Sequence, residues 1–303
     1  ALLGCQMPQE RRDRASRGLT SEPLNAVSGS SAAANRDAIS GSHAPRRRLE
    51  ASTVPSRVAV TMAQNIYDDP GFFAGYSQLP RQVRGLLGAP EWAAIRAMLP
   101  DIAGKRVVDL GCGFGWVSRW MRGQGASDVL GVDLSQNMIA RAIAMTQDPA
   151  ITYEIADLET LELPKATFDL AYSALTFHYV GDFDRLARML YRALVPEGHL
   201  VFTIEHPIYM AATRPDWGQD QDGRKTWPVN RYFIEGERRT DWYVQGVLKY
   251  HRTIGTTLNA LIGAGFSLRH VEEFSPTREQ IRAMPELADE LERPMMLLVS
   301  AQR

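Results

Sequence analysis

Cysteine is almost absent from this chain: Cys5 and Cys112 are the only two among 303 residues. Two thiols exclude a disulfide framework of the kind that staples small secreted domains. They also exclude a structural zinc site built on paired CxxC motifs. Excess charge of either sign is missing too. The formal net charge is -1, so no global field draws the chain onto nucleic acid or an anionic membrane. No apolar run approaches the roughly 18–20 residues that a membrane-spanning helix needs. A reducing, cytoplasmic setting fits this pattern best. What the chain has instead is 45% hydrophobic residues, enough for a sizeable core in one large domain or two small ones.

Residues 1–61 lack aromatic side chains and lysine altogether, and are rich in Ser, Ala and Arg, with a basic cluster at Arg46, Arg47 and Arg48. Their apolar residues follow no period. Such a segment cannot bury enough surface to offset its ordering entropy, so it is expected to be a disordered tail. Arg- and Ser-rich composition admits an organelle-targeting reading. Five acidic residues (Glu10, Asp13, Glu22, Asp37, Glu50) and the lack of an amphipathic helix favour an extension ahead of a functional chain that starts near Met62.

From Arg106 onward, short apolar runs alternate with amphipathic stretches. Strands are expected at 107–110, 129–132, 151–155, 168–173, 200–204, 266–274 and 295–301. Helical patterns lie between them at 116–122, 136–145, 184–194 and 256–262. That alternation means βαβ units and an α/β, doubly wound, mostly parallel sheet. Two more helices, 80–87 and 90–99, precede the sheet as an N-terminal cap, each with proline at an early position.

The first strand runs into Asp109-Leu110-Gly111-Cys112-Gly113-Phe114-Gly115. Glycines here permit positive φ and a close approach of backbone to ligand. The following helix offers unpaired N–H groups at its start. A dinucleotide fingerprint would need glycine at position 116, which is Trp116. The next strand ends at Asp133, twenty residues after Gly113, and a carboxylate there can accept hydrogen bonds from both hydroxyls of a ribose. Asp133 could also simply cap the helix starting near Ser135. A second acid, Asp157, follows the third strand; as a bland alternative it is a turn residue.

As a set, DLGCGFG, GVDLS, ADLE, FDLAYSALTFHYV and LVPEGHLVF resemble the ordered motifs of class I S-adenosylmethionine-dependent methyltransferases. The resemblance is close over about residues 100–205. It implies a Rossmann-like seven-stranded sheet in the order 3-2-1-4-5-7-6, strand 7 antiparallel, with S-adenosyl-L-methionine as cofactor. Carried over position by position, it implies that Gly111, Cys112, Gly113 and Gly115 lie against the methionine part. Asp109 would orient that loop and the amino group. Asp133 and the adjoining Leu134 would hold the ribose, and Met138 would pack on the adenine unless it is ordinary core. Asp157 and the Leu158 amide would face the adenine amino group, and Ser173 would sit beside the methionine moiety. Glu197-Gly198 departs from the two glycines usual after proline, at a turn away from the cofactor.

Methyl transfer is an in-line displacement in which the protein supplies alignment and electrostatics. Candidate acid, base or contact groups must follow strands 4 and 5. They are His178, Glu205 and His206. A metal site built from Glu205 and His206 lacks a third clear ligand, so no metal is expected. Residues 207–252 form an insertion, read as a lid of short strands and loops. It holds Trp217, Trp227, Trp242, Tyr209, Tyr232, Tyr243 and Tyr250 beside Arg214, Arg231, Arg238, Arg239, Lys249 and Arg252. Such residues suit an aromatic cage for a cationic or aromatic acceptor, or arginines for a carboxylate or phosphate. Ahead of the sheet, Tyr67, Tyr76 and Arg81 are candidates to close the cofactor pocket, by likeness to small-molecule methyltransferases.

The expected activity is methylation of an N or O atom of a small molecule. Ser173-Ala174-Leu175-Thr176 is not the Asn/Asp-Pro-Pro-aromatic motif used on exocyclic base nitrogens, and outside the tail the chain lacks a dense basic stripe. Neither nucleic acid nor membrane is therefore expected as partner. A macromolecular methyltransferase and a cofactor-binding protein without turnover are the alternatives. The sequence leaves the oligomeric state open.

Overall fold

The computed structural model describes residues 64–213 and 215–303. The expectations for residues 1–61, for the start near Met62 and for Arg214 lie outside the described residues.

Three short helices lead in: α1 (Pro70–Tyr76), α2 (Pro80–Arg84) and α3 (Trp92–Ala97). Then β1 (Arg106–Leu110), α4 (Trp116–Gly123), β2 (Asp128–Asp133), α5 (Gln136–Ala144), β3 (Ile151–Ile155), β4 (Phe168–Ala174), α6 (Phe183–Ala193) and β5 (Leu194–Glu205) alternate. The insertion contributes α7 (Pro207–Ala211), the two-residue strands β6 (Gly218–Gln219) and β7 (Lys225–Thr226), and the hairpin β8 (Gly236–Trp242) and β9 (Val244–His251). The chain closes with α8 (Ile254–Ala264), β10 (Ser267–Glu273), α9 (Arg278–Ala283) and β11 (Met296–Gln302).

The main sheet runs β3-β2-β1-β4-β5-β11-β10. β11 is antiparallel to both neighbours, and the remaining pairs are parallel. Counted along the sheet this is 3-2-1-4-5-7-6, the order expected. Successive residues of each central strand point to opposite faces, and both faces are apolar. Val108, Ala171, Phe202 and Val299 pack with α6 and α8, while Val107, Leu170, Val201 and Leu298 pack with α3 and α4. Full burial of side chains this size contributes about 1.5–3 kcal/mol each, which is why the strands read as continuous apolar runs.

Local chemistry sets the element ends. Ser135 caps α5 by accepting the Met138 N–H at 3.1 Å, Asp182 caps α6 by accepting that of Arg185 at 2.9 Å, and Gly265 ends α8 at φ 108°. Two features escape the sequence pattern. α1 is only seven residues long, started by Pro70 and capped by Asp69. β5 begins six residues ahead of the expected run and passes through Glu197 at φ 64°. A glycine would adopt that angle freely, which explains the pair of glycines usual there.

β1 lies between β2 and β4, so chain order reverses there and a crevice opens at the strands' carboxyl ends. A third cluster covers this end: Ile66, Phe72 and Leu79 from the N-terminal segment pack with Trp242 and Val247 of the β8–β9 hairpin. The N-terminal helices and the insertion thus meet above the crevice. Among the described residues, no helix is long and apolar enough to cross a membrane.

Candidate functional site

Gly111, Gly113 and Gly115 take φ of 73°, 53° and 69° at the exit of β1. A Cβ at Gly111 would collide with the Thr176 side chain, and one at Gly115 with the Tyr153 hydroxyl. At Gly113 a Cβ would meet nothing within 4 Å, so this residue looks onto open space. Its N–H donates to Asp133 Oδ2 at 2.9 Å, and the Ser135 N–H donates to Oδ1 at 2.9 Å. Asp133 thereby ties the glycine loop to the start of α5. Burial overrides these bonds and, with repulsion from Asp68, pushes its carboxyl up to about 6.

Asp109 is buried on β1 and accepts the Ser118 hydroxyl of α4 at 2.6 Å. Burial raises it to about 7. The folded chain therefore holds this proton more tightly than the unfolded chain does. That contribution to stability is complete below about pH 4 and is lost as pH rises through about 7. Asp109→Asn keeps an acceptor for Ser118 and removes the buried charge. It is expected to be more stable than the parent at pH 8, on the order of 2–4 kcal/mol, with the gap closing below about pH 4. Urea melts at both pH values check this; equal stability at pH 8 would show that Asp109 carries no buried charge.

The N-terminal segment docks on the same corner. Asp68 accepts the Ser135 hydroxyl at 2.5 Å and the Asn137 N–H at 3.0 Å through Oδ1, and the Gln136 N–H at 3.2 Å through Oδ2. Against the cost of burial, the Ser135 hydroxyl, followed by the Asn137 amide, the Asn65 side chain and the Gln136 amide, holds its carboxyl below the usual range. A carboxylate at a helix N-terminus is favoured by the unpaired N–H groups there. Gln64 bonds to β9 in both directions, accepting the Leu248 N–H at 2.7 Å and donating to Gly246 O at 3.2 Å. Tyr67 stands edge-on to Phe72 and Tyr76, with centroids 4.9 Å and 5.1 Å away, and its hydroxyl donates to that of Tyr179 at 3.3 Å. Arg81 is paired with buried Glu91 rather than free, while its Nε and the neighbouring Gln82 Oε1 are buried without a partner.

A second polar centre lies under the roof. Lys249 of β9 donates to Glu205 Oε1 at 2.5 Å, both side chains being almost fully buried. The ammonium also lies 5.9 Å from the Tyr179 ring centroid and 5.5 Å from that of Trp242. Lys249 and His178 hold the Glu205 carboxyl below the usual range despite burial. His178 is buried, and its Nδ1 accepts the Glu205 N–H at 3.2 Å. Burial lowers it to about 4; Glu205 pulls it back up, and Lys249 and Arg252 push it further down. At neutral pH it is uncharged. With the Nδ1 lone pair in use, its proton belongs on Nε2, so the ring is a hydrogen-bond donor there rather than a base.

His206 takes a different set of partners. Its Nδ1 accepts the Ile208 N–H at 3.1 Å, capping α7, and its Nε2 donates to Glu273 Oε1 at 2.8 Å. Ser173 is buried and donates to Leu110 O at 2.8 Å, joining the ends of β4 and β1. Met138 is buried in α5, and Leu134 is half-buried beside Asp133. Asp157 accepts the Glu159 N–H at 2.9 Å in a local turn, and Leu158 is buried next to it. Cys112 is buried, and burial pushes its thiol well up, which keeps it from serving as a nucleophile. Among the described residues no cluster suits a metal ion.

Sequence reasoning missed two residues. Lys249 stood only in a roll of basic side chains; its signal is the alternation of β9, whose buried positions are Val247, Lys249 and His251. Asp68 was passed over because its partners lie 67 to 69 residues away. Three other insertion aromatics enclose a cation of the chain: Arg293 lies 4.7, 5.2 and 4.2 Å from the ring centroids of Tyr209, Trp217 and Trp227.

The chain is similar to a solved structure. An S-adenosylmethionine dependent methyltransferase from Mesorhizobium loti matches with a TM-score of 0.70 and 62% identity, covering 72% of this chain and 100% of that one. This chain belongs to the S-adenosylmethionine-dependent methyltransferases. The family model described as a methyltransferase domain matches residues 108–202 of it. An uncharacterised protein from Haemophilus influenzae is 30% identical over 247 residues, 79% of this methyltransferase and 97% of that relative. The residues fit the cofactor class. Its amino-acid end needs donors and acceptors of the kind left unpartnered at Arg81 Nε and Gln82 Oε1. Its ribose needs a carboxylate such as Asp133 beside open space at Gly113.

Proposed function

We propose that this methyltransferase moves the cofactor's methyl group to an N or O atom of a small-molecule acceptor. One observation carries the reading. Polar groups run from Asp133 through the Tyr67–Tyr179 hydroxyl pair to Lys249, Glu205 and His178, and aromatic residues of two segments roof them. A site roofed from both sides suits a small acceptor better than a polymer.

In this reading Asp133 and Leu134 hold the ribose, with Met138, Asp157 and Leu158 at the adenine. The loop Gly111, Cys112, Gly113 and Gly115 takes the methionine part with Asp109, Ser173, Tyr76 and Arg81. When bound, S-adenosylmethionine supplies an electrophilic methyl on a sulfonium. His178 and Glu205 face the acceptor, while His206 secures α7 against β10. Residues 62–99 act as a cap and 207–252 as a lid, and a cytoplasmic location accords with the buried free thiol of Cys112.

Asp68 holds the cap in place. Asp68→Ala is expected to lose about 1–2 kcal/mol of stability and to release S-adenosylhomocysteine about tenfold faster, read by stopped-flow fluorescence. An unchanged release rate would mean that the cap does not gate the cofactor. The function itself is tested with methyl-tritiated cofactor and a metabolite extract passed through a small-pore filter. Label in a new filtrate compound is expected. Label retained on protein or RNA, or no transfer, would count against a small-molecule acceptor.

A further inference from the structure

Taking two charges out of water is costly, and an apolar pair of similar volume is often no less stable. Arg81 and Glu91 are nevertheless paired inside the chain, their side chains 13% and 2% exposed. The pair is also incomplete. A guanidinium and a carboxylate can close two parallel bonds. Here Arg81 Nη2 donates to Glu91 Oε1, while Arg81 Nε and Glu91 Oε2 are buried with no partner among the described residues. A buried donor without an acceptor costs stability, so a ligand acceptor is the natural complement of Nε.

Glu91 immediately precedes α3, where acidic side chains usually serve the free N–H groups of the first turn. Its side chain makes no such bond and turns to Arg81, ten residues back. Arg81 is the second residue of α2, and the end of α2 rests on the start of α4: a Cβ at Gly85 would collide with the ring of Trp116, the residue after the glycine loop. Burial raises the Tyr76 and Tyr172 phenols and Arg81 draws both back down, so the guanidinium stands near each. Tyr172 is the neighbour of Asp109 across β4 and β1. A fixed cation with a spare N–H thus lies near the last residues of β1, at the entry to Gly111. The part of S-adenosylmethionine that carries an anion is the carboxylate of its amino-acid end.

We propose that Glu91 is a positioning residue for cofactor binding: by holding Arg81 Nη2 it aims Arg81 Nε at the carboxylate of the cofactor's amino-acid end. This rests on the reading that the glycine loop, Tyr76 and Arg81 take the methionine part. Glu91 touches no cofactor atom. Its charge opposes the incoming carboxylate, so what it contributes is reach, an oxygen placed where it holds the guanidinium still.

The test is calorimetry on the full chain with two probes, S-adenosylhomocysteine and its decarboxylated amine. The ratio of their Kd values is the preference for the carboxylate. The parent is expected to prefer S-adenosylhomocysteine by about 30-fold, the worth of a charge-assisted hydrogen bond. Arg81→Met/Glu91→Leu strands no charge and should bind both probes alike. Glu91→Asp keeps the charge but draws Arg81 back by one methylene, and its preference should fall by about tenfold. Glu91→Gln keeps the reach without the charge, and its preference should stay within about threefold of the parent's. Both single variants should bind the amine about as the parent does. The proposal is overturned by a parent indifferent to the carboxylate, by a preference that survives in Arg81→Met/Glu91→Leu, or by Glu91→Asp keeping what Glu91→Gln loses. Equal weakening of both probes in Glu91→Asp would make Glu91 a merely structural residue and overturn it too. A parent that binds no S-adenosylhomocysteine at all would instead bring down the cofactor assignment, and this proposal with it.

Discussion

Asp133→Ala is expected to raise the Kd for S-adenosylhomocysteine by about 100-fold or more. Two hydrogen bonds from ribose hydroxyls to a carboxylate are worth about 1.5–3 kcal/mol each, and 1.4 kcal/mol is a factor of ten. The loss is compounded because Asp133 also holds Gly113 and Ser135 through their N–H groups, so its removal loosens the glycine loop. Asp133→Asn separates the two effects. It keeps an acceptor for one amide but presents an NH2 where the other carboxylate oxygen stood, and its affinity should fall between those of the parent and the alanine variant. Isothermal calorimetry reads all three. Parental affinity in Asp133→Ala would refute the ribose assignment and leave Asp133 as a helix-start residue.

The second large effect concerns stability. Lys249→Met leaves the buried Glu205 carboxylate without its cation, and breaking a buried pair from one side costs about 3–5 kcal/mol. For a chain of this size that is a drop of roughly 10 °C in Tm. Glu205→Gln in the same background removes the stranded charge, so the double variant should recover most of the loss. Such recovery would show that Lys249 and Glu205 are kept together for what they do in the site. A double variant as unstable as Lys249→Met would show that the lysine contributes chiefly by packing against Tyr179 and Trp242.

The sheet was legible in the sequence because its strands are buried on both faces. Apolar runs such as Val107-Val108 and Val201-Phe202 announce themselves without any period. The glycine loop and Asp133 were legible for a different reason: close backbone approach demands glycine, and the acid follows at a fixed distance along one βαβ unit. The roof was not legible. α1 is short and carries a small, mixed aromatic face, and Asp68 acts on partners across 67 residues of chain. Lys249 was hidden by its type, since a lysine is expected on the exposed side of a strand. Only the burial of β9 on alternate residues turns it inward. His178 and His206 looked alike as residues after strand ends. Their partners separate them, one facing Glu205 and Lys249, the other bound to Glu273 and the start of α7.

Calorimetric titration of the unmodified chain with S-adenosylhomocysteine between pH 5 and 8 bears most directly on the site. Burial places Asp133 at about 6 and Asp109 at about 7, so both lose their charge as pH falls through that window. One molecule should bind per chain at pH 8, with affinity dropping as pH falls through about 7 and further below about 6. No binding heat at any pH, or an affinity indifferent to pH from 8 to 5, would contradict the assignment of these two carboxylates to the cofactor.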